Sequence, residues 1–344
     1  QLALDYELDI PYLGDMFNAT TSLMYKRMKD QPVWYNTAIV EAGRMADGER
    51  IIHESRYEGD RSQNSDIMLR NAPEDGRAYI FSQSLAKQWD NGVSFTASYT
   101  YQDVEDNGAG SSSQAASNYQ HYVAKNRNQA FSATGNFETE HSLKITLGYK
   151  KEFFADYETR FNLFFERRSG RPFSYAIGMY QDGDFGDTPE FFSQSAYLPY
   201  IPSGADDPNV DWENSISWEE MQMLLDNAGI SYGGEGYILD RNTHNQPWVT
   251  DLDLSIQQEI PGFMDGHKGI LYLTIDNFAN LLNDDWGIER RLQYPQVNLY
   301  DLGGVNDAGQ YQIDPVYNGY YPNNYSTVDM SSSWSAKLGI RYTF

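Results

Sequence analysis

Hydrophobic and polar residues alternate one by one along much of this chain. At its end, Trp334, Ala336, Leu338, Ile340, Tyr342 and Phe344 take every second place, with Ser335, Lys337, Gly339, Arg341 and Thr343 between them. Successive side chains of a β-strand point to opposite faces. The terminal stretch therefore predicts a strand with one face suited to an apolar medium and the other to water. The same period recurs upstream. Leu2 to Leu8, Phe17 to Tyr25, Gly76–Trp89 and Val93 to Tyr101 read as four strands, the last two joined by Asp90-Asn91-Gly92, a hairpin signal. Leu143 to Tyr149, Thr159 to Phe165, Trp248 to Ile256 and Leu271 to Ile275 continue the series, and the terminal strand makes nine.

The connections between these strands alternate in length. Those after the first, third, fifth and seventh are a few residues, whereas the others cover about 28–75, 105–141, 169–246 and 278–332. Short turns at one end and long loops at the other are the pattern of a membrane β-barrel. An additional alternating stretch, Phe131–Phe137, would break this parity as a spanning strand and is assigned to the second long loop. In the third, Ser217 and Glu220 form a capping box ahead of Met221, Leu224 and Leu225, with Gly229 as the stop: one short amphipathic helix that packs within the loop.

Composition narrows the class. Mean hydropathy is −0.64, and no run approaches the roughly 18–20 apolar residues of a transmembrane helix. Barrel strands escape that test because their alternation averages out. The 27 Tyr, 17 Phe and 7 Trp suit membrane–water interfaces, where a ring meets lipid at one end and water at the other. A net charge of −24 excludes nucleic acid as a natural partner. There is no Cys, hence no disulfide or thiolate metal site. Gln1 falls inside a strand-like pattern without a leader, which reads as a processed product or a piece of something longer.

Soluble sandwiches and propellers also alternate. Two features favour the membrane: the small, hydroxylated watery faces opposite Tyr-rich apolar ones, and the short–long parity. In a bilayer, a one-residue slip of the last strand would send Lys337 and Arg341 toward lipid at roughly 2–4 kcal/mol each near the midplane. Closed single-chain barrels have even strand numbers. Nine strands are then either one short of a ten-stranded barrel or the tail of a larger one.

Ser169–Tyr175 (SGRPFSY), Leu198–Trp212 (LPYIPSGADDPNVDW), Asp276–Gly287 (DNFANLLNDDWG), His141–Phe154 (HSLKITLGYKKEFF) and the closing KLGIRYTF resemble the C-terminal region of TonB-dependent outer-membrane receptors, particularly the Oar-like group. The resemblance spreads over about residues 70–344 and is weakest in the first loop. It implies a fold of 22 antiparallel strands around a plug domain, of which residues 1–344 would be the last nine strands without the plug. It further implies residence in a Gram-negative outer membrane with the C-terminus periplasmic, contact with lipopolysaccharide, and uptake of a bulky ligand. Energy would come from the TonB system through the plug, and no catalytic residues or cofactor are implied. Leu338, Ile340, Tyr342 and Phe344 resemble the signal read by the barrel assembly machinery, a recognition that works by β-augmentation.

Candidate chemistry is sparse. No HExxH, GxSxG, P-loop or dinucleotide fingerprint occurs. His53, His121, His141, His244 and His267 are scattered, so a ten-stranded barrel with an Asp–His protease site at its rim is one rival and a secreted soluble adhesin another. Asp182, Asp184 and Asp187 have the oxygen-rich look of a Ca²⁺ loop without its twelve-residue spacing. Asp206, Asp207, Asp211 and Trp212 form an acidic, aromatic stretch that is a candidate for ligand contact. Lys144, Lys150, Asp251 and Asp253 fall on the polar face and would line a lumen or touch the plug.

Overall fold

The computed structural model describes residues 1–10, 14–57, 66–108, 110, 112–179, 185–187, 196–264, 266–292, 296–316 and 325–344. The protein is all-β, built on one antiparallel meander. We number its nine long strands β1 (Leu2–Ile10), β2 (Gly14–Met28), β3 (Gly76–Gln88), β4 (Val93–Asp106), β5 (His141–Phe154), β6 (Tyr157–Arg168), β7 (Val249–Pro261), β8 (Lys268–Asp276) and β9 (Ser335–Thr343). Each pairs with the next in chain order, and β1 and β9 are the two edges. All nine agree with the strands predicted from alternation. Of Phe131–Phe137, only Ala133–Thr134 is strand, extending the sheet beside the end of β4.

The pair register turns alternation into two faces. Phe95, Leu147, Leu163, Leu254, Ile275 and Ala336 are consecutive partners across six strands. One residue away, Ser94, Gly148, Asn162, Ser255, Thr274 and Lys337 form the neighbouring row on the other face. Among the described residues no second layer covers this row, although Ile275, at the end of β8, is buried. On β9, Leu338 is 73 % exposed, Ile340 66 %, Trp334 46 % and Tyr342 38 %. A sheet in a soluble sandwich buries one face against another layer; this one leaves its apolar face open.

Aromatic rings mark both ends of that face. Toward the long connections, Tyr25 packs on Tyr79, and His141 lies stacked on Trp248 and close to Tyr99 and Tyr101. Toward the short turns, Phe17 packs on Trp89, Tyr149 and Phe153 pack on Phe161, and Tyr342 meets Phe263 and His267. The β3–β4 turn closes through Gly92 at φ +89, where an added Cβ would lie 2.1 Å from the Lys150 carbonyl oxygen.

The hydrophobic core lies elsewhere, in a cap made by the long connections. Its main sheet runs Pro172–Met179 parallel to Gln296–Val305, with Tyr311–Asp314 and His244–Asn245 at the flanks. Among the described residues four α-helices punctuate it: α1 (Ala115–His121), α2 (Trp218–Ala228), α3 (Phe278–Leu282) and α4 (Asp329–Ser332). The expected capping box of α2 is formed by Ser217 and Glu220, and Gly229 ends the helix at φ +69. Met221, Leu224 and Leu225 bury into the cap core.

Arg50, with no exposed surface, joins the four long connections. Its guanidinium donates to the carbonyls of Lys125 and Leu198 (2.5 Å for Leu198) and to the Tyr311 hydroxyl at 3.4 Å. The faces of Phe185 and Tyr197 lie 4.9 and 5.1 Å from it. Arg127 donates to the carbonyls of Tyr119, Tyr122, Gln120 and Ala196, and Arg241 ties residues 169–248 to the carbonyl of Asp106 at 2.5 Å. Buried guanidinium groups demand this many acceptors. Backbone oxygens supply most of them, those of Lys125, Leu198, Ala196 and Asp106 from loops distant in sequence.

Candidate functional site

Two adjoining clefts open on the polar face where the long strands meet the cap, of about 410 and 570 Å3. Both are within the usual size of small-ligand sites, and they share Arg168, Val249 and Glu289. A cavity inside the cap beside Tyr119 and Arg127 holds about 30 Å3, room for a water molecule.

The larger cleft is acidic. Glu166 and Asp251 are register partners, and Asp253 follows Asp251 on the same face of β7. Asp276 at the end of β8 completes the set. Part of this charge is engaged: Glu166 lies 3.4 Å from Lys144 and 3.8 Å from Arg168, and Asp276 lies 3.3 Å from Lys337. Asp253 accepts from the Asn277 backbone N–H at 2.8 Å.

That last contact explains the segment Asp276–Gly287. Asn277 sits at φ +50 as the N-cap of α3 and donates through Nδ2 to the carbonyls of Gly287 and Ser331 at 2.9 and 3.1 Å. Gly287, at φ +63, leaves 2.0 Å between an ideal Cβ and Asn277 Oδ1, so no other residue fits there. Asn280 is buried and donates to the carbonyls of Asp284 and Trp286. The segment is a rigid turn, and Asn277 and Gly287 form one side of the acidic cleft.

The smaller cleft is basic, with Arg168, Arg171, Arg290 and Arg291 against Glu289. Gly170 allows the approach of the Gln246 backbone, since a Cβ there would be 2.2 Å from the Gln246 carbonyl oxygen. Gln246 then accepts from the Leu292 N–H at 2.8 Å through Oε1, and its own N–H donates to the Arg171 carbonyl. Arg290 and Arg291 lie on a short strand paired with Ser326–Thr327.

The chain matches no protein-family model, no curated protein and no solved structure.

The residues singled out from sequence separate into three groups. Lys144, Asp251 and Asp253 are on the polar face, and the last two lie in the acidic cleft. Lys150 shares that face but sits at the opposite end, in a smaller recess with Ser94, Arg160 and Asn162. The stretch Asp206, Asp207, Asp211 and Trp212 is in the cap, away from both clefts. Asp207 is buried and accepts from the Ser203 N–H, the Asn209 N–H and the Tyr200 hydroxyl, which builds its own loop. Asp211 takes hydrogen bonds from Gln312, Asn214 and Asn306, and these hold its carboxyl below the ordinary range. Trp212 packs edge-on against Trp218.

Asp182 and Asp184 lie outside the described residues, and Asp187 is buried against Arg127. Among the described residues no group of three or more His, Asp or Glu side chains is placed to hold a metal ion. Neither cleft is lined by a histidine. His53 is buried in the cap, where desolvation lowers its pKa, His141 belongs to the aromatic belt, and His267 contacts Tyr342 at 2.8 Å. Arg290, Arg291, Gln246 and Glu289 escaped the sequence reading. Gly170, Arg171, Asn277 and Gly287, however, stand within two of the segments that carry the family resemblance.

Proposed function

We propose that the chain is a nine-stranded part of the barrel wall of a TonB-dependent, Oar-like outer-membrane receptor, with its apolar face in the bilayer and its polar face toward a wet lumen. The observation that carries this reading is an uncovered apolar face bordered at both ends by aromatic rings. The stretch of β5 from His141 to Tyr149 and Phe153 is about 26–40 Å long. At the usual barrel tilt of 35–45° that is a rise of roughly 20–30 Å, which brackets the roughly 25 Å apolar band of outer-membrane barrels.

The edges of the sheet favour a larger barrel. Among the described residues β1 and β9 pair only on one side, and in hydrocarbon each unsatisfied backbone group would cost several kcal/mol. Neighbouring strands must therefore meet both edges, and 22 strands with a plug would supply them. A ten-stranded rim protease draws no support from clefts without histidine, and a soluble adhesin would leave Leu338 and Ile340 in water.

In this reading the long connections face outward and form a preassembled cap. The two clefts beneath it are the ligand-contacting part of this wall, transport being driven through the plug by the inner-membrane motor. The chain has no native cysteine, so single cysteines can be spin-labelled directly. A label at Leu163 is expected to meet oxygen dissolved in lipid, and one at Asn162 an aqueous nickel chelate. Equal access of both labels to the chelate would sink the proposal.

A further inference from the structure

The two clefts carry opposite charge, in a chain with 49 acidic and 25 basic residues. Four arginines around one opening are thus against the composition. Among the described residues Arg171, Arg290 and Arg291 have no ion-pair partner, while Arg168 is 3.8 Å from Glu166. A second observation points the same way. Gln246 is 9 % exposed, and its Nε2 is a buried donor on the cleft lining with no hydrogen-bond partner among the described residues. Buried donors are nearly always satisfied, and an acceptor held in this cleft is one way to satisfy it. Guanidinium groups match planar carboxylates through two parallel hydrogen bonds. The adjoining cleft, with Asp251 and Asp253 side by side on β7, offers the complement for an ammonium group.

Building on the receptor reading, we propose that the joined clefts bind a zwitterionic ligand of the peptide class. Its carboxylate lies against Arg171, Arg290, Arg291 and the Gln246 amide, and its ammonium lies against Asp251 and Asp253. The carboxylate half excludes simple cations and the acidic half excludes simple anions, so selectivity comes from requiring both charges in one molecule.

Calorimetric titration of the whole receptor that carries these strands, in detergent, with the tripeptide Gly-Gly-Lys, its C-terminal amide and the form acetylated on both its α- and ε-amines tests this. The free peptide is expected to bind at least tenfold more tightly than either blocked form. R290Q/R291Q should abolish the difference between acid and amide while keeping the preference for a free amine, and D251N/D253N should do the reverse. Equal binding of all three peptides, no binding heat, or an acid preference surviving in R290Q/R291Q overturns the proposal. Heat-modifiable migration of the same samples separates the two ideas. A heat-modifiable whole protein that cannot discriminate the peptides defeats only the ligand class, whereas a whole protein that is not heat-modifiable defeats the receptor reading itself.

Discussion

The Arg127 guanidinium meets the Asp187 carboxylate at 3.2 Å, with the two side chains 1 % and 0 % exposed. Arg127 also lies over the rings of Tyr119 and Tyr197, at 5.3 and 4.8 Å. The pair pins residues 107–140 to residues 169–248 inside the cap. A buried pair of this kind is costly to break from one side, because the remaining charge keeps its desolvation penalty. Arg127→Met is expected to destabilise the cap by about 3–5 kcal/mol. R127M/D187L, which removes both charges, should recover only the part owed to the stranded Asp187 carboxylate, because the carbonyls of Tyr119, Gln120, Tyr122 and Ala196 still lose their donor. Denaturant unfolding followed by the fluorescence of Trp212 and Trp218, which pack on the cap core, measures both.

On β9 the two faces can be probed at adjacent positions. Leu338 pairs with Leu273 on the open apolar face, and Lys337 pairs with Thr274 on the polar one. Leu338→Arg should weaken folding into lipid vesicles by about 2–4 kcal/mol if it lies near the midplane. Lys337→Ser loses a partly exposed contact with Asp276 and should cost less than about 1 kcal/mol. Urea titrations of vesicle-folded protein give the comparison, and equal costs would contradict the sidedness.

Gly287→Ala has no room for its methyl beside Asn277. The turn must shift, and with it one side of the acidic cleft. The expected result is loss of ligand contact without loss of the wall: protease cutting between residues 277 and 334 rises, while heat-modifiable migration persists. Asn277→Ala should do the same by freeing the carbonyls of Gly287 and Ser331.

Glu138 responds to pH. Burial pushes its carboxyl up from 4.5 to about 7, helped by Asp103 and Glu140 and opposed by a hydrogen bond from the Val104 N–H. Between pH 4.5 and about 7 the folded chain keeps a proton that the unfolded chain has released. Stability contributed by this group therefore falls as pH rises through that window and levels off above it. Protease resistance of residues 107–140 is expected to be higher at pH 5 than at pH 7.5, and Glu138→Gln should flatten the difference.

Much of the wall is legible in the sequence because its determinants are local. A period of two names the face of Leu147 or Lys144 without knowledge of any partner, and Asp90-Asn91-Gly92 or Ser217 with Glu220 marks its own turn or cap. The cap is different. Pro172–Met179 runs beside Gln296–Val305, more than a hundred residues away, and no periodicity links them. Arg50 is held by carbonyl oxygens, which every residue has, so no side-chain pattern betrays its partners. The clefts fall between these cases. Asp251 and Asp253 show their face by alternation, while Arg290 and Arg291 reach the opening only because a short strand brings them there. The charge of Asp207 is plain in the sequence, whereas its hydrogen bonds to Ser203, Asn209 and Tyr200 are invisible until the loop is closed.

The four-way contact of Arg50 has a consequence for anything that recognises the protein from outside. An antibody raised against the cap meets a surface whose shape is set jointly by all four long connections. A synthetic peptide copying any one of them should compete poorly for such a binder, and Arg50→Ala should abolish recognition at epitopes that do not contain residue 50.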